Sequence, residues 1–309
     1  MADNGRQSEK LTLEETSHNI QKYMIQKSLN YWSVPGGLEG TISPCDFMQI
    51  AKKYQFPAIE LAISDSGSAF SIDTTEAECQ RILNAACDLG IEIPSVASGL
   101  YWYRSIGDSD EKSRQIAKND LEKMLHISSW LRAKTLLFIT GAVDVFFMPN
   151  RATQSYNEVW QNSTTLLAEI EPLAAQLGVR IGIENVWNKF ILSSQEMAIY
   201  VDQFSSPFIG AYVDVANLQP YGHAEDWIRH LGHRVVGVHF KDFRRSVGTL
   251  DGFVDLLEGD VNWPEVMKAL NEIKYSGPAV AELIPCYKHF PEVRIANCSN
   301  AMDAILGTQ

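Results

Sequence analysis

The chain has 309 residues, 45% of them hydrophobic and 21% charged, which is enough for one large core and ordinary for a globular protein. Its formal net charge of -12 repels phosphate backbones and anionic lipid surfaces, so nucleic acid and membrane are excluded as partners and a small molecule is expected instead. Five cysteines without a CxxC pair, no charged start leading into an apolar run, and no stretch near the ~20 apolar residues that span a bilayer together predict reduced thiols and a cytoplasmic setting.

Residues 1–27 are mostly polar and read as an N-terminal extension, partly disordered or helical, ahead of a single domain over 28–309. Short apolar β-type runs follow at Leu29–Val34, Ala58–Ile63, Ser95–Ser98, Thr135–Thr140, Arg180–Glu184, Ile209–Val215, Val235–Phe240 and Ala279–Ile284. Several are near-continuous apolar runs, such as Thr135-Leu-Leu-Phe-Ile-Thr140, as strands covered on both faces are. Helical patterns lie between them, with start signals at Thr41 or Ser43, Thr74 or Thr75, Ser109, Ser155, Ser193 or Ser194, and Asn262. Gly90 and Gly178 stand where two of these helices should stop. Eight βα units recurring about every 35 residues predict an α/β fold closed as a (β/α)8 TIM barrel. A doubly wound open sheet is the weaker reading, because the first strand is followed by Pro35-Gly-Gly37 and not by GxGxxG.

Reactive groups of such a barrel sit at the C-terminal ends of its strands. The fifth strand ends in Glu184, the sixth in Asp214, the seventh in His239 and the eighth in Glu282. Four successive strands thus deliver three carboxylates and one imidazole to one face, each from an apolar strand where an unpaired charge is costly. One divalent ion removes that cost. A mainly oxygen donor set suits Mn²⁺, Mg²⁺ or Co²⁺, with Zn²⁺ also open.

The segments Gly182-Ile-Glu-Asn-Val-Trp-Asn-Lys-Phe190, Tyr212-Val-Asp-Val-Ala-Asn217, Val238-His-Phe-Lys-Asp242, Gly259-Asp-Val-Asn-Trp-Pro264 and Tyr275-Ser-Gly-Pro-Ala-Val-Ala-Glu282 resemble, as a set, the sugar phosphate isomerase/epimerase superfamily of xylose-isomerase-like barrels. The likeness spans roughly residues 28–306 and includes relatives such as ketose 3-epimerases and hexulose-phosphate epimerases. It implies that Glu184 and Glu282 are both metal ligands and the acid/base pair, that Asp214 and His239 are ligands only, and that Arg245, six residues after that histidine, contacts substrate. Asn217 stands where ketose 3-epimerases carry a histidine, and Phe190 where they carry a second glutamate. Endonuclease IV, another relative, is disfavoured by the scarcity of additional histidines and by the acidic charge.

The implied activity is isomerisation or epimerisation of a sugar or sugar phosphate by proton abstraction next to a carbonyl, through a metal-stabilised enediolate. A lyase or dehydratase acting on a keto-sugar or inosose with the same groups, and a non-catalytic sugar-binding barrel, are the alternatives. Trp187, Trp102 and Tyr101 follow strands five and three, where their rings can stack on a sugar. Lys189 and His223 are loop residues within reach of substrate oxygens, Asn217 can donate a hydrogen bond, and Lys241 and Asp242 are expected to support the histidine ligand. The loop Arg244-Arg-Ser-Val-Gly-Thr249 predicts a site for a substrate phosphate or carboxylate, with Arg244 as a contact. Val143–Met148 reads as a lid or a subunit contact, and a homo-oligomer is expected.

Overall fold

The computed structural model describes residues 25–307. His18 and all but the last three residues of the N-terminal extension assigned to 1–27 lie outside the described residues. Eight parallel strands close on themselves: β1 (Lys27–Asn30), β2 (Ala58–Ile63), β3 (Glu92–Ser98), β4 (Thr135–Phe138), β5 (Arg180–Glu184), β6 (Ile209–Asp214), β7 (Val235–Phe240) and β8 (Ala279–Ala281). Each pairs with its neighbour in sequence, and β1 pairs with β8 to seal the ring. The expected barrel is what the chain forms.

Among the described residues seven α-helices connect successive strands, α1 (Pro44–Lys53), α2 (Glu76–Leu89), α3 (Glu111–Trp130), α4 (Tyr156–Leu177), α5 (Ser194–Asp202), α6 (Ala224–Leu231) and α7 (Trp263–Glu272), and α8 (Pro291–Leu306) follows β8. Their ends follow local chemistry. The Thr75 side chain caps α2 in a reciprocal box with Glu78, and Gly90 ends that helix with a left-handed φ of 64°. Ser43, Ser193 and Asn262 cap α1, α5 and α7. At α3 the cap is Asp110 and not Ser109, because the Asp110 carboxylate accepts from Ser113 N at 2.8 Å.

The first strand is also corrected. It ends at Asn30, whose side chain accepts from Trp32 N at 2.7 Å and turns Tyr31–Ser33 into a 3-10 helix. That turn carries Trp32 to the mouth of the barrel. Strands β4, β6 and β8 stop earlier than their apolar runs, whose last residues continue into the loops above the barrel.

Register decides which side chains share a layer. Asp214 pairs with His239, Glu184 with Tyr212, and Asn30 with Glu60. Beyond β7 the chain adds a small antiparallel hairpin, Asp242–Phe243 against Phe253–Val254. The buried Asp242 carboxylate braces the segment that follows, accepting from Leu257 N, Val261 N and Trp263 Nε1 at 3.0–3.2 Å. Among the described residues no helix is long and apolar enough to cross a membrane.

Candidate active site

Glu184 and Asp214 are the final residues of β5 and β6, His239 is the penultimate residue of β7, and Glu282 follows β8 directly. One ligand atom from each lies within 4.8 Å of the others. From His239 Nδ1 the distances are 3.2 Å to Glu184 Oε1, 3.4 Å to Glu282 Oε2 and 4.0 Å to Asp214 Oδ2. All four residues are buried.

They differ in one respect that matters for chemistry. Glu184 and Glu282 line a cavity of about 410 Å³ at the C-terminal mouth, whereas Asp214 and His239 do not reach its wall. The two glutamates can therefore touch a bound molecule, and the other two can only hold what lies beneath it.

The histidine is oriented from behind. Its Nε2 lies 2.8 Å from Glu60 Oε1, and Glu60 also accepts from Asn30 Nδ2 at 2.8 Å and Tyr212 Oη at 2.7 Å. Burial alone raises the Glu60 carboxyl, but His239 and these hydrogen bonds outweigh it and hold the group below its ordinary range. An ionised Glu60 accepts only, so Nε2 carries the proton and Nδ1 faces the three carboxylates. Asp214 is oriented likewise: its Oδ1 accepts from Ala216 N and Asn217 N, each at 2.9 Å.

This arrangement asks for positive charge. Asp214 Oδ2 and Glu282 Oε2 are buried and share the Lys241 ammonium. Burial pushes Glu184 above the usual carboxylate range. The Lys241 ammonium touches Glu282 Oε2 and lies 3.2 Å from Asp214 Oδ2; with His239, it draws Glu282 below that range against the effect of burial. Lys241 is itself raised, because the carboxylates around it outweigh its own desolvation. Three carboxylate oxygens and one imidazole nitrogen converging on one point, with a single ammonium set against more than one carboxylate, fit a hard divalent cation. Glu184, Asp214, His239 Nδ1 and Glu282 would be its ligands.

Of the other residues singled out by sequence, Trp102, Trp187, Asn217 and Lys241 line the cavity. Trp187 Nε1 donates to the Asn217 carbonyl at 2.7 Å, and Asn217 Nδ2 donates to the Asn185 carbonyl at 3.0 Å, fixing both side chains. Three expected contacts are not brought there. Lys189 is mostly exposed and paired with Asp144 at 2.6 Å. Arg244 donates through Nε to the Glu258 carbonyl, and Arg245 is exposed on the turn of the hairpin, its backbone N bonded to Asp260. None of the three lines the cavity. The Arg244–Thr249 loop forms the turn of the hairpin, off the cavity wall. The Asp242 carboxylate accepts its hydrogen bonds from the segment that follows. Tyr101 is buried against Phe138, ring centroids 4.7 Å apart, and His223 is a surface residue near Glu225. Phe190 packs in an aromatic cluster with Tyr156, Trp160 and Tyr200, off the cavity.

Glu60 was missed by sequence reasoning. Its signal was present: a single charge inside the otherwise apolar run Ala58-Ile-Glu-Leu-Ala-Ile63, fully buried.

Residues 48–294 match a family model described as xylose isomerase-like TIM barrel. The chain is 24% identical over 240 residues to a protein of Escherichia coli strain K12 provisionally designated L-ribulose-5-phosphate 3-epimerase SgbU, covering 76% of this chain and 81% of that one. Two solved structures superpose well. D-psicose 3-epimerase with D-tagatose from Clostridium cellulolyticum H10 gives a TM-score of 0.72 at 16% identity, covering 91% of this chain and 98% of that one. The IOLI protein with a zinc atom gives 0.74 at 15%, covering 92% and 99%. At such identities the structural likenesses speak for the fold.

Proposed function

The chain belongs to the xylose isomerase-like TIM barrel family, and from that premise we propose that it is a divalent-metal-dependent sugar isomerase or epimerase. One observation carries the reading: of four converging ligand groups, only the two glutamates also reach the cavity. A group that is both held in the cluster and open to a ligand is placed to move a proton on that ligand.

Glu184, Asp214, His239 and Glu282 would hold a divalent ion, with Mn²⁺, Mg²⁺ or Co²⁺ matching the donor set, and when bound it would supply electrostatic stabilisation for negative charge developing on the substrate. Asp214 and His239 hold the cluster together, each fixed by its own hydrogen bonds. Glu184 and Glu282 stand on strands separated by β6 and β7, so they approach a bound sugar from different sides. One takes the proton from carbon next to the carbonyl and the other returns one, which inverts the centre. Lys241, in contact with Glu282 and lining the cavity, limits the build-up of negative charge around that carboxylate. The apolar wall keeps water from the carbanionic carbon.

The direct test is proton NMR of candidate ketoses incubated with the protein in D₂O. Solvent deuterium is expected at the carbon next to the carbonyl of an otherwise intact sugar. An unsaturated product would assign elimination instead, and no exchange with any sugar in the presence of added metal would contradict the reading.

A further inference from the structure

The cavity above the cluster is polar at its floor and aromatic toward its mouth. Glu184, Asn217, Lys241 and Glu282 make the floor, and Trp32, Trp102, Phe146, Phe147, Trp187 and Phe253 supply rings above it. Five of these rings form a continuous band. Trp102 lies 5.0 Å from Phe147, Phe147 5.3 Å from Phe146, Phe146 5.9 Å from Trp187, and Trp187 5.2 Å from Phe253. Phe146 and Phe147 are 46% and 47% exposed, so the outer part of the band is open to a ligand. Exposed rings gathered at the mouth of a site mark a surface that something apolar covers.

The cavity offers a phosphate no uncommitted cation among the described residues. Its wall holds two basic side chains. Lys241 is engaged by Glu282 and Asp214. Arg294 donates through Nε to Asp255 at 2.6 Å and through Nη1 to the Pro285 carbonyl, with its guanidinium over the Tyr287 ring. Lys189, Arg244 and Arg245 lie off the wall. A dianion placed among these rings would lose its hydration without gaining partners. The volume falls within the range of about 300–1,000 Å³ typical of pockets for ligands of drug size, more than a lone pentose needs.

We infer that the substrate is an unphosphorylated keto-sugar carrying an apolar, ring-sized substituent, in the manner of an aryl glycoside with one ring carbon at the ketone level. The sugar lies on the polar floor and the substituent in the band from Trp102 to Phe253. This rests on the sugar-directed reading above and adds the class of substrate to it.

The test is isothermal titration calorimetry of the full chain with excess Mn²⁺. The probes are phenyl and methyl glycosides of glucose and galactose, both anomers, which lack the ketone and so report binding of sugar and substituent without turnover, together with the 6-phosphates of the two sugars. At least one phenyl glycoside should bind on the order of tenfold tighter than its methyl counterpart, and no phosphate should approach it. In Phe147→Ala, with its melting temperature checked against wild type, the phenyl preference should shrink to threefold or less. Equal phenyl and methyl affinities, absent binding of every phenyl glycoside, or a phosphate binding tightest would overturn the inference. So would a phenyl preference that Phe147→Ala leaves intact. Deuterium exchange on a free ketose without any phenyl preference sinks the substrate class alone, whereas a phenyl preference without exchange on any sugar sinks the proposed reaction alone.

Discussion

Replacing Glu184 or Glu282 with Gln should lower the rate of stereoinversion by about 10²–10⁴-fold at saturating metal, the range that a positioned acid or base contributes. The substitution keeps the side chain's size and removes its ability to carry the proton; it also replaces a charged metal ligand with a neutral amide, which is why metal is kept saturating. The two groups stand on strands separated by two others, and in the proposed mechanism each serves one side of the substrate. Each variant should therefore still exchange the proton of one epimer with D₂O while failing to convert it into the other. Glu184→Gln and Glu282→Gln should retain exchange on opposite epimers. NMR of the two pure epimers, incubated separately with each variant, reads this out. Loss of exchange on both epimers in both variants would mean that the glutamates hold the site together and do not divide the proton transfer. Unchanged turnover in either would remove that residue from the chemistry.

Glu60→Ala should cost about 3–5 kcal/mol of stability, as expected when one partner of a buried charged pair is removed. The reason is local: the change strands His239 Nε2, Asn30 Nδ2 and Tyr212 Oη, all buried, without their acceptor. Glu60→Gln, which keeps one carbonyl oxygen, should recover part of the loss. Both variants should bind metal about 10–100-fold more weakly, because the hydrogen bond that orients the His239 ring is lost or altered. Urea denaturation gives the first quantity and competition with a chelating dye the second. A Glu60→Ala protein with wild-type stability and affinity would show that His239 needs no support from β2.

Much of the fold was legible because a two-faced buried strand leaves a plain signature. Ala58–Ile63, Arg180–Glu184 and Val235–Phe240 are short runs, mostly apolar in their interior, whose observed bounds match those expected. Where the run continued into a loop above the barrel, as at Ala279–Ile284, composition overstated the strand. Helix α6 was not foreseen: it is only eight residues long and crowded with charge, and its packing face rests on Trp227, Ile228 and Leu231. The four converging side chains were legible from position at strand ends, since a closed parallel barrel leaves little freedom there. The loops were not. Arg245 stands at the offset the resemblance implies, yet a two-residue hairpin decides where that stretch of backbone goes. Glu60 escaped attention because it lies mid-strand, and its partner across the barrel is 179 residues away in sequence.

The most direct test of the central claim, that Glu184, Asp214, His239 and Glu282 together hold one divalent ion, is metal content by inductively coupled plasma mass spectrometry after exposure to Mn²⁺ and gel filtration. The wild type should carry one ion per chain, and each of the four alanine variants should carry almost none while remaining folded by circular dichroism. A metal-free wild type, or alanine variants that keep a full complement, would contradict it.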